Sequence, residues 1–220
     1  MNTVTFSKKN SYNDFGLLLR SREIGEAEPR TNYIDVPARD GHLDLTEAFG
    51  EVKYKNRPLV FTFSYVGSDQ DWLPTISALN NYINGQKHKI YFENDYYWVG
   101  RCFVKAAQSK NGIREITIEC DCEPYKYKIE DTIIEIVVNG ENIVKTIVND
   151  RKTVIPQITV ISGELILSWT DKKTGVNFNS WAIANGYDNK NLDFKFYEGN
   201  NTFTLSGTGS IRLTYKEASL

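Results

Sequence analysis

Only three cysteines, two histidines and one methionine occur in 220 residues. An odd cysteine count without a secretion signal argues against a disulfide framework. The two histidines, His42 and His88, form neither an H-x-H nor an H-E-x-x-H arrangement. No apolar run approaches the roughly 18 residues of a membrane span. The N-terminal stretch MNTVTFSKKN has no apolar segment of the signal-peptide kind, so the expectation is a soluble chain made in a cytoplasm. An excess of positive charge is missing too. The net charge is −2, with 26 basic and 28 acidic residues. Residues 1–125 carry 15 basic and 17 acidic side chains, and residues 126–220 carry 11 of each. Neither part has the basic surplus by which a phosphate-gripping surface shows itself, which disfavours nucleic acid as a tightly held ligand.

What is present is apolar and aromatic. Hydrophobic residues make up 40% of the chain and aromatics 13%, with 13 Tyr and 11 Phe. That bias favours sheets over helix bundles, and the length allows one large β domain or two smaller ones. Hydrophobic runs recur throughout, which argues against disorder.

The clearest strand is RPLVFTFSYV at 57–66, where Leu59, Phe61, Phe63 and Tyr65 alternate with Val60, Thr62, Ser64 and Val66. Before it, FGLLLRS is a strand candidate. The polar stretch between them, punctuated at Val36-Pro37 and Asp40-Gly41, reads as an arm or excursion from the core. After the strand comes the one convincing helix, DQDWLPTISALNNYING. Trp72, Ile76, Leu79 and Ile83 share a face, Asp69 or Asp71 can cap the start, and Asn84-Gly85 supplies the stop. Strands are predicted at HKIYFEN, YYWVGRCFV and REITIECDC.

From about residue 126 no helical period appears. TIIEIVVNGENIVKTIV predicts two strands of a hairpin around Asn139-Gly140. PQITVI, ELILSW, GVNFNSWAI, LDFKFYE, NTFTLSG and SIRLTYK follow, separated by Gly and Asn. About eight short strands predict a β-sandwich, of jelly-roll type.

Catalytic and metal chemistry is hard to find. Cys120 and Cys122 fall on the apolar face of one strand, where they read as small core residues, since zinc needs four ligands and no second pair exists. His88 reads as a surface strand residue, and His42 as a residue following a turn. Glu115 and Glu119 lie on the polar face of their strand, which solvation alone explains. GSDQDW lacks the glycine and terminal glutamate of a calcium loop. No Walker loop, dinucleotide fingerprint or G-x-S-x-G elbow occurs. The expectation is no catalytic residue, no metal and no cofactor. Trp169, Trp181 and Tyr187 open a second reading, a carbohydrate-binding module in which Trp181 and Tyr187 stack on sugar, against the alternative of sandwich core.

Three stretches carry a resemblance: GHLDLTEAFGEVKYKNRPLVFTFSY, then LNNYINGQKHKIYFENDYYWVGRC, then ITIECDCEPYKY. With their G-x-x-D-L-T segment, N-R-P strand, and N-G followed by KIYF, they resemble the distal tail proteins of long-tailed, siphovirus-type phages. EGNNTFTLSGTGSIRLTYKE is similar to that family's usual ending. The resemblance implies a ring-forming β domain over 1–125, with one helix, and a galectin-like β-sandwich over 126–220. It implies a structural virion protein at the tail tip, made in the bacterial cytoplasm, and no enzyme. Its partners would be five further copies in a hexameric ring, the tail tube protein and the tip proteins that contact the host. DNA would only pass through the ring, and a host-surface glycan is the partner implied by the carbohydrate reading. An infectious phage, a prophage or a tail-like bacteriocin fits equally as the source.

Overall fold

The computed structural model describes residues 2–48, 50–110, 112–150 and 152–220. The chain forms two compact units, Met1–Lys126 and Tyr127–Leu220.

The first unit contains β1 (Thr5–Phe6), β2 (Lys9–Asn10), β3 (Leu17–Ile24), β4 (Tyr33–Asp35), β5 (His42–Asp44), β6 (Arg57–Tyr65), β7 (Gln86–Tyr91), β8 (Tyr96–Lys110) and β9 (Ile113–Cys122). Helix α1 spans Ser11–Phe15 and α2 spans Trp72–Ile83. Seven strands form an antiparallel sheet in the order β2-β1-β7-β8-β9-β6-β3. The alternation in β6 buries Leu59, Phe61 and Phe63 completely. They meet Phe6, Ile90, Trp98, Ile116, Ile118 and the α2 residues Leu79 and Ile83 in one core. Each fully buried side chain of this size contributes about 1.5–3 kcal/mol of transfer free energy.

Helix α2 shows the expected face, with Trp72, Leu79 and Ile83 buried. Its start differs from expectation. Asp71 occupies the cap position, yet its side chain makes no cap hydrogen bond. Its carboxylate instead accepts from the Ser68 hydroxyl at 2.6 Å, and Asp69 pairs with Arg114. Helix α1 was not foreseen from the sequence. Its signals are local: Asn10 Oδ1 accepts from the Tyr12 and Asn13 amides, and Gly16 closes the end at φ 64°. Strand β8 runs six residues beyond the predicted YYWVGRCFV, because backbone pairing to β9 continues to Lys110 and Ile113 through a polar stretch without alternation.

Strand β10 (Lys126–Lys128) spans the boundary. The second unit contains β11 (Thr132–Asn139), β12 (Ile143–Asn149), β13 (Gln157–Thr170), β14 (Asn177–Ala184), β15 (Asp188–Lys190), β16 (Gly199–Tyr215) and β17 (Ala218–Ser219). Four sequence expectations are corrected here. PQITVI and ELILSW belong to one strand, β13, and NTFTLSG and SIRLTYK to one strand, β16. The glycines between them bend a continuous ladder instead of ending it. A Cβ on Gly163 would lie 2.0 Å from the Thr208 carbonyl oxygen, and one on Gly207 would lie 2.4 Å from that of Glu164. The two long strands therefore cross at backbone contact, with a register shift between Val160 and Ser162.

The crease makes a sandwich of one sheet. On one side of it, β15, the start of β13, the end of β16 and β11 lie in sequence; on the other, β14, the end of β13, the start of β16 and β12. Residues of both layers share one core, including Ile158, Ile211 and Leu213 from the first and Leu165, Leu167, Phe203 and Leu205 from the second. This is why β11 and β12 do not form the predicted hairpin. Both pair with β16, at Thr208–Tyr215 and Gly199–Leu205 respectively. Asn139-Gly140 is the arch between layers, with the Gly140 amide donating to the Gly207 carbonyl at 2.9 Å. LDFKFYE is also not a strand. Phe194 and Phe196 are core residues, but the backbone pairs only at the Val154–Phe196 bridge.

Candidate interaction surfaces

Residues 25–56 leave the sheet between β3 and β6. Their base is closed: the Gly25 amide donates to the Pro58 carbonyl at 2.8 Å, beside the Ile24–Leu59 register pair. From there the excursion is an antiparallel ribbon. Arg30 donates to Lys53, Lys55 to Glu28, and Leu45 to Asn32, and β4 pairs with β5 at Tyr33–Asp44, Ile34–Leu43 and Asp35–His42. The G-x-x-D-L-T segment has a local physical meaning. Gly41 sits at φ 74°, and the Asp44 carboxylate accepts from the Thr46 amide at 2.9 Å. A hydrogen bond from the Thr46 hydroxyl, supported by the one from its amide, holds the Asp44 pKa below the usual carboxylate value.

Not one described residue of the ribbon is buried. Tyr33 is 54% exposed, Ile34 45% and Val36 38%. A two-stranded ribbon with no core of its own is marginal in water. The ribbon is polar overall, and the three unburied apolar side chains grouped on it mark a surface for contact.

The N-R-P segment anchors the ribbon's return. Arg57 is 6% exposed and lies over the Trp98 ring at 4.0 Å. Burial lowers its pKa, and Glu26 partly offsets this. Asn56 donates to Asp121 at 3.1 Å.

The polar candidates take structural places. His88 is buried at 7% exposure, not on the surface as the sequence suggested, because its strand position faces Phe6 and Tyr82. Burial lowers its pKa, so the ring is neutral at pH 7. Its Nε2–H then donates to the Tyr82 carbonyl at 3.0 Å, and Nδ1 accepts from the Ser7 hydroxyl at 3.1 Å. His42 is exposed and pairs with Asp35. Glu115 meets Arg20, and Glu119 meets Lys105. Cys102, Cys120 and Cys122 are free thiols, all fully buried, with Cys120 Sγ 2.9 Å from Cys102 Sγ. The contact with Cys102 and burial push the Cys120 thiol up; burial does the same to Cys122. Thiols held so far from ionisation are packing residues. Among the described residues, no three His, Cys, Asp or Glu side chains gather as a metal site.

In the second unit, Trp181 and Tyr187 are half-buried and pack against the sandwich core. Their rings meet edge to face at 5.4 Å. Ser180 adopts φ 62°, and this irregularity brings Trp181 to the core side with Phe178 and Ile183. Trp169 stacks on Phe178 at 4.6 Å. Asp171 is 7% exposed and is enclosed by hydrogen bonds. Burial raises its pKa, but the Thr174 amide, Tyr197 hydroxyl, Thr174 hydroxyl and Lys173 amide outweigh that and bring it to about 2. It ties the turn after β13 to Tyr197, at 2.7 Å. A groove of about 500 Å³ lies beside this turn, and Trp169, Lys172, Lys195 and Thr204 are among its lining residues.

No protein-family model matches the chain, and no curated protein sequence matches it either. Among solved structures, the chain is similar to SPP1 Dit, described as a paradigm of the hub adsorption apparatus in phages that infect Gram-positive bacteria. The TM-score is 0.66 and the identity 16%, over 97% of this chain and 98% of that one. At that identity the likeness is one of fold, and it extends through both units.

Proposed function

We propose that this chain is a distal tail protein, a structural virion component at the end of a phage tail. Its first unit closes into a ring, a hexamer by the family resemblance, that joins the tail tube to the tip proteins contacting the host. The observation that carries this reading is the exposed ribbon at residues 25–56, in a chain that shares the SPP1 Dit fold from end to end. Tyr33, Ile34 and Val36 stand exposed on this largely polar arm, available to the next subunit. A head-to-tail contact repeated around an axis closes a ring. The near balance of charge in residues 1–125 suits a lumen through which DNA slides without being gripped. The reading assigns a scaffold role and no reaction.

The test is the solution mass of the purified full-length protein by light scattering over a concentration series, with negative-stain microscopy of the same samples. The expected result is mass rising toward six copies and ring-shaped particles. A monomer at every concentration, with no rings, overturns self-assembly as this chain's own property.

A further inference from the structure

We infer that the groove in the second unit is a binding site for a saccharide carrying an anionic group. The volume of about 500 Å³ is within the range of small-ligand sites. Two features of its wall define the ligand. First, Lys172 and Lys195 both line it, and no carboxylate does. The Lys172 ammonium is fixed by donation to the Glu198 carbonyl at 2.8 Å. Lys195 is half-buried and has no hydrogen-bond or ion-pair partner among the described residues. It stands between Phe194 and Phe196, both held in the core, and the Phe196 backbone is pinned to Val154 by hydrogen bonds of 2.9 and 3.0 Å. The backbone that presents this cation is therefore rigid, which reduces the ordering cost of binding.

Second, the rest of the polar wall is neutral. Asn179, Asn200 and Thr204 line the groove with their side-chain donors and acceptors unused among the described residues. Its aromatic members, Trp169, Phe194, Phe196 and Phe203, are 1–7% exposed and too deeply set to stack on a sugar face. Recognition here rests on hydroxyl and amide hydrogen bonds around a charge-assisted one, which matches a polyhydroxylated anion better than an apolar ligand. Trp181 and Tyr187 do not line this groove. The inference is independent of ring formation.

The experiment is isothermal titration calorimetry on the full-length protein with glucose 1-phosphate, glucuronic acid, glucose and inorganic phosphate, each alone. Saturable millimolar binding is expected for the two anionic sugars, with glucose and phosphate each several-fold weaker. Lys195→Gln should weaken both anionic sugars about tenfold, the loss of one charge-assisted hydrogen bond. Its melting temperature should stay unchanged, and Trp181→Ala should leave the affinity intact. Phosphate binding as tightly as glucose 1-phosphate would reduce the groove to an ion site. That result, the absence of saturable heat with either anionic sugar, equal binding of glucose, or full affinity in Lys195→Gln would each overturn the inference.

Discussion

At the residue scale, two contrasts can be tested. Asp171 is held at about 2, below the usual carboxylate value, by hydrogen bonds that outweigh its burial. A depressed folded pKa contributes stability that is present above about pH 4 and is lost as pH falls toward 2. The difference amounts to about 2 kcal/mol. Asp171→Asn should lower the urea midpoint of the second unit at pH 7 and flatten its decline between pH 4 and 2. Equal pH profiles for the two proteins would contradict the assignment. The second contrast is between glycines. Gly163 and Gly175 have φ of 75° and 70°, so both resist a side chain. Only Gly163 faces backbone at 2.0 Å, whereas nothing lies within 4 Å of a Cβ on Gly175. Gly175→Ala should cost about 1–2 kcal/mol, the left-handed penalty alone. Gly163→Ala should cost well beyond that, on the order of 3 kcal/mol or more, because the crease itself must open. Thermal unfolding of the pair reads the difference directly.

At the element scale, the sequence was most legible where one periodicity met one buried face. Strand β6 and helix α2 were visible because Phe61, Phe63, Leu79 and Ile83 each occupy the position that the repeat demands. It was least legible where the same residue type serves two ends. Glycine at 163 and 207 reads as a turn in sequence, yet it bends a strand whose partner is over 40 positions away. Asn139-Gly140 reads as a hairpin, yet it bridges two layers, because the partner of both flanking strands, β16, comes about 60 residues later. Helix α1 escaped notice since five residues cannot show a 3.6-residue period, although its caps at Asn10 and Gly16 were there to be read. The candidate surfaces fared similarly: the ribbon was marked as an excursion by its composition, whereas the groove's lining residues are scattered over 37 positions and carry no motif. The ribbon also allows a clean prediction. Because Gly25 and Pro58 are hydrogen-bonded at its base, replacing residues 26–56 by a short Gly-Asn turn should leave the sheet intact. Circular dichroism and melting temperature should change little, and self-association should fall sharply. Undiminished assembly of this variant would place the subunit contact elsewhere.

At the scale of the whole molecule, stability and assembly are expected to separate along the chain. Each unit has its own continuous core, one built around Phe61 and Trp98, the other around Leu167 and Phe203. The clustering of contacts into Met1–Lys126 and Tyr127–Leu220 is what independent folding requires. The first unit has 126 residues and the second 94, both long enough to bury a core without metals or disulfides. Expressed alone, residues 127–220 should fold cooperatively and remain monomeric, since the creased sheet satisfies its long central strands internally. Residues 1–126 should retain the concentration-dependent association of the full chain, because they contain the ribbon. Light scattering on the two fragments at matched concentrations decides the matter. Association confined to 127–220 would move the ring-forming surface to the sandwich and remove the ribbon from the mechanism, while association of 1–126 alone would tie assembly to the unit in which the exposed ribbon resides.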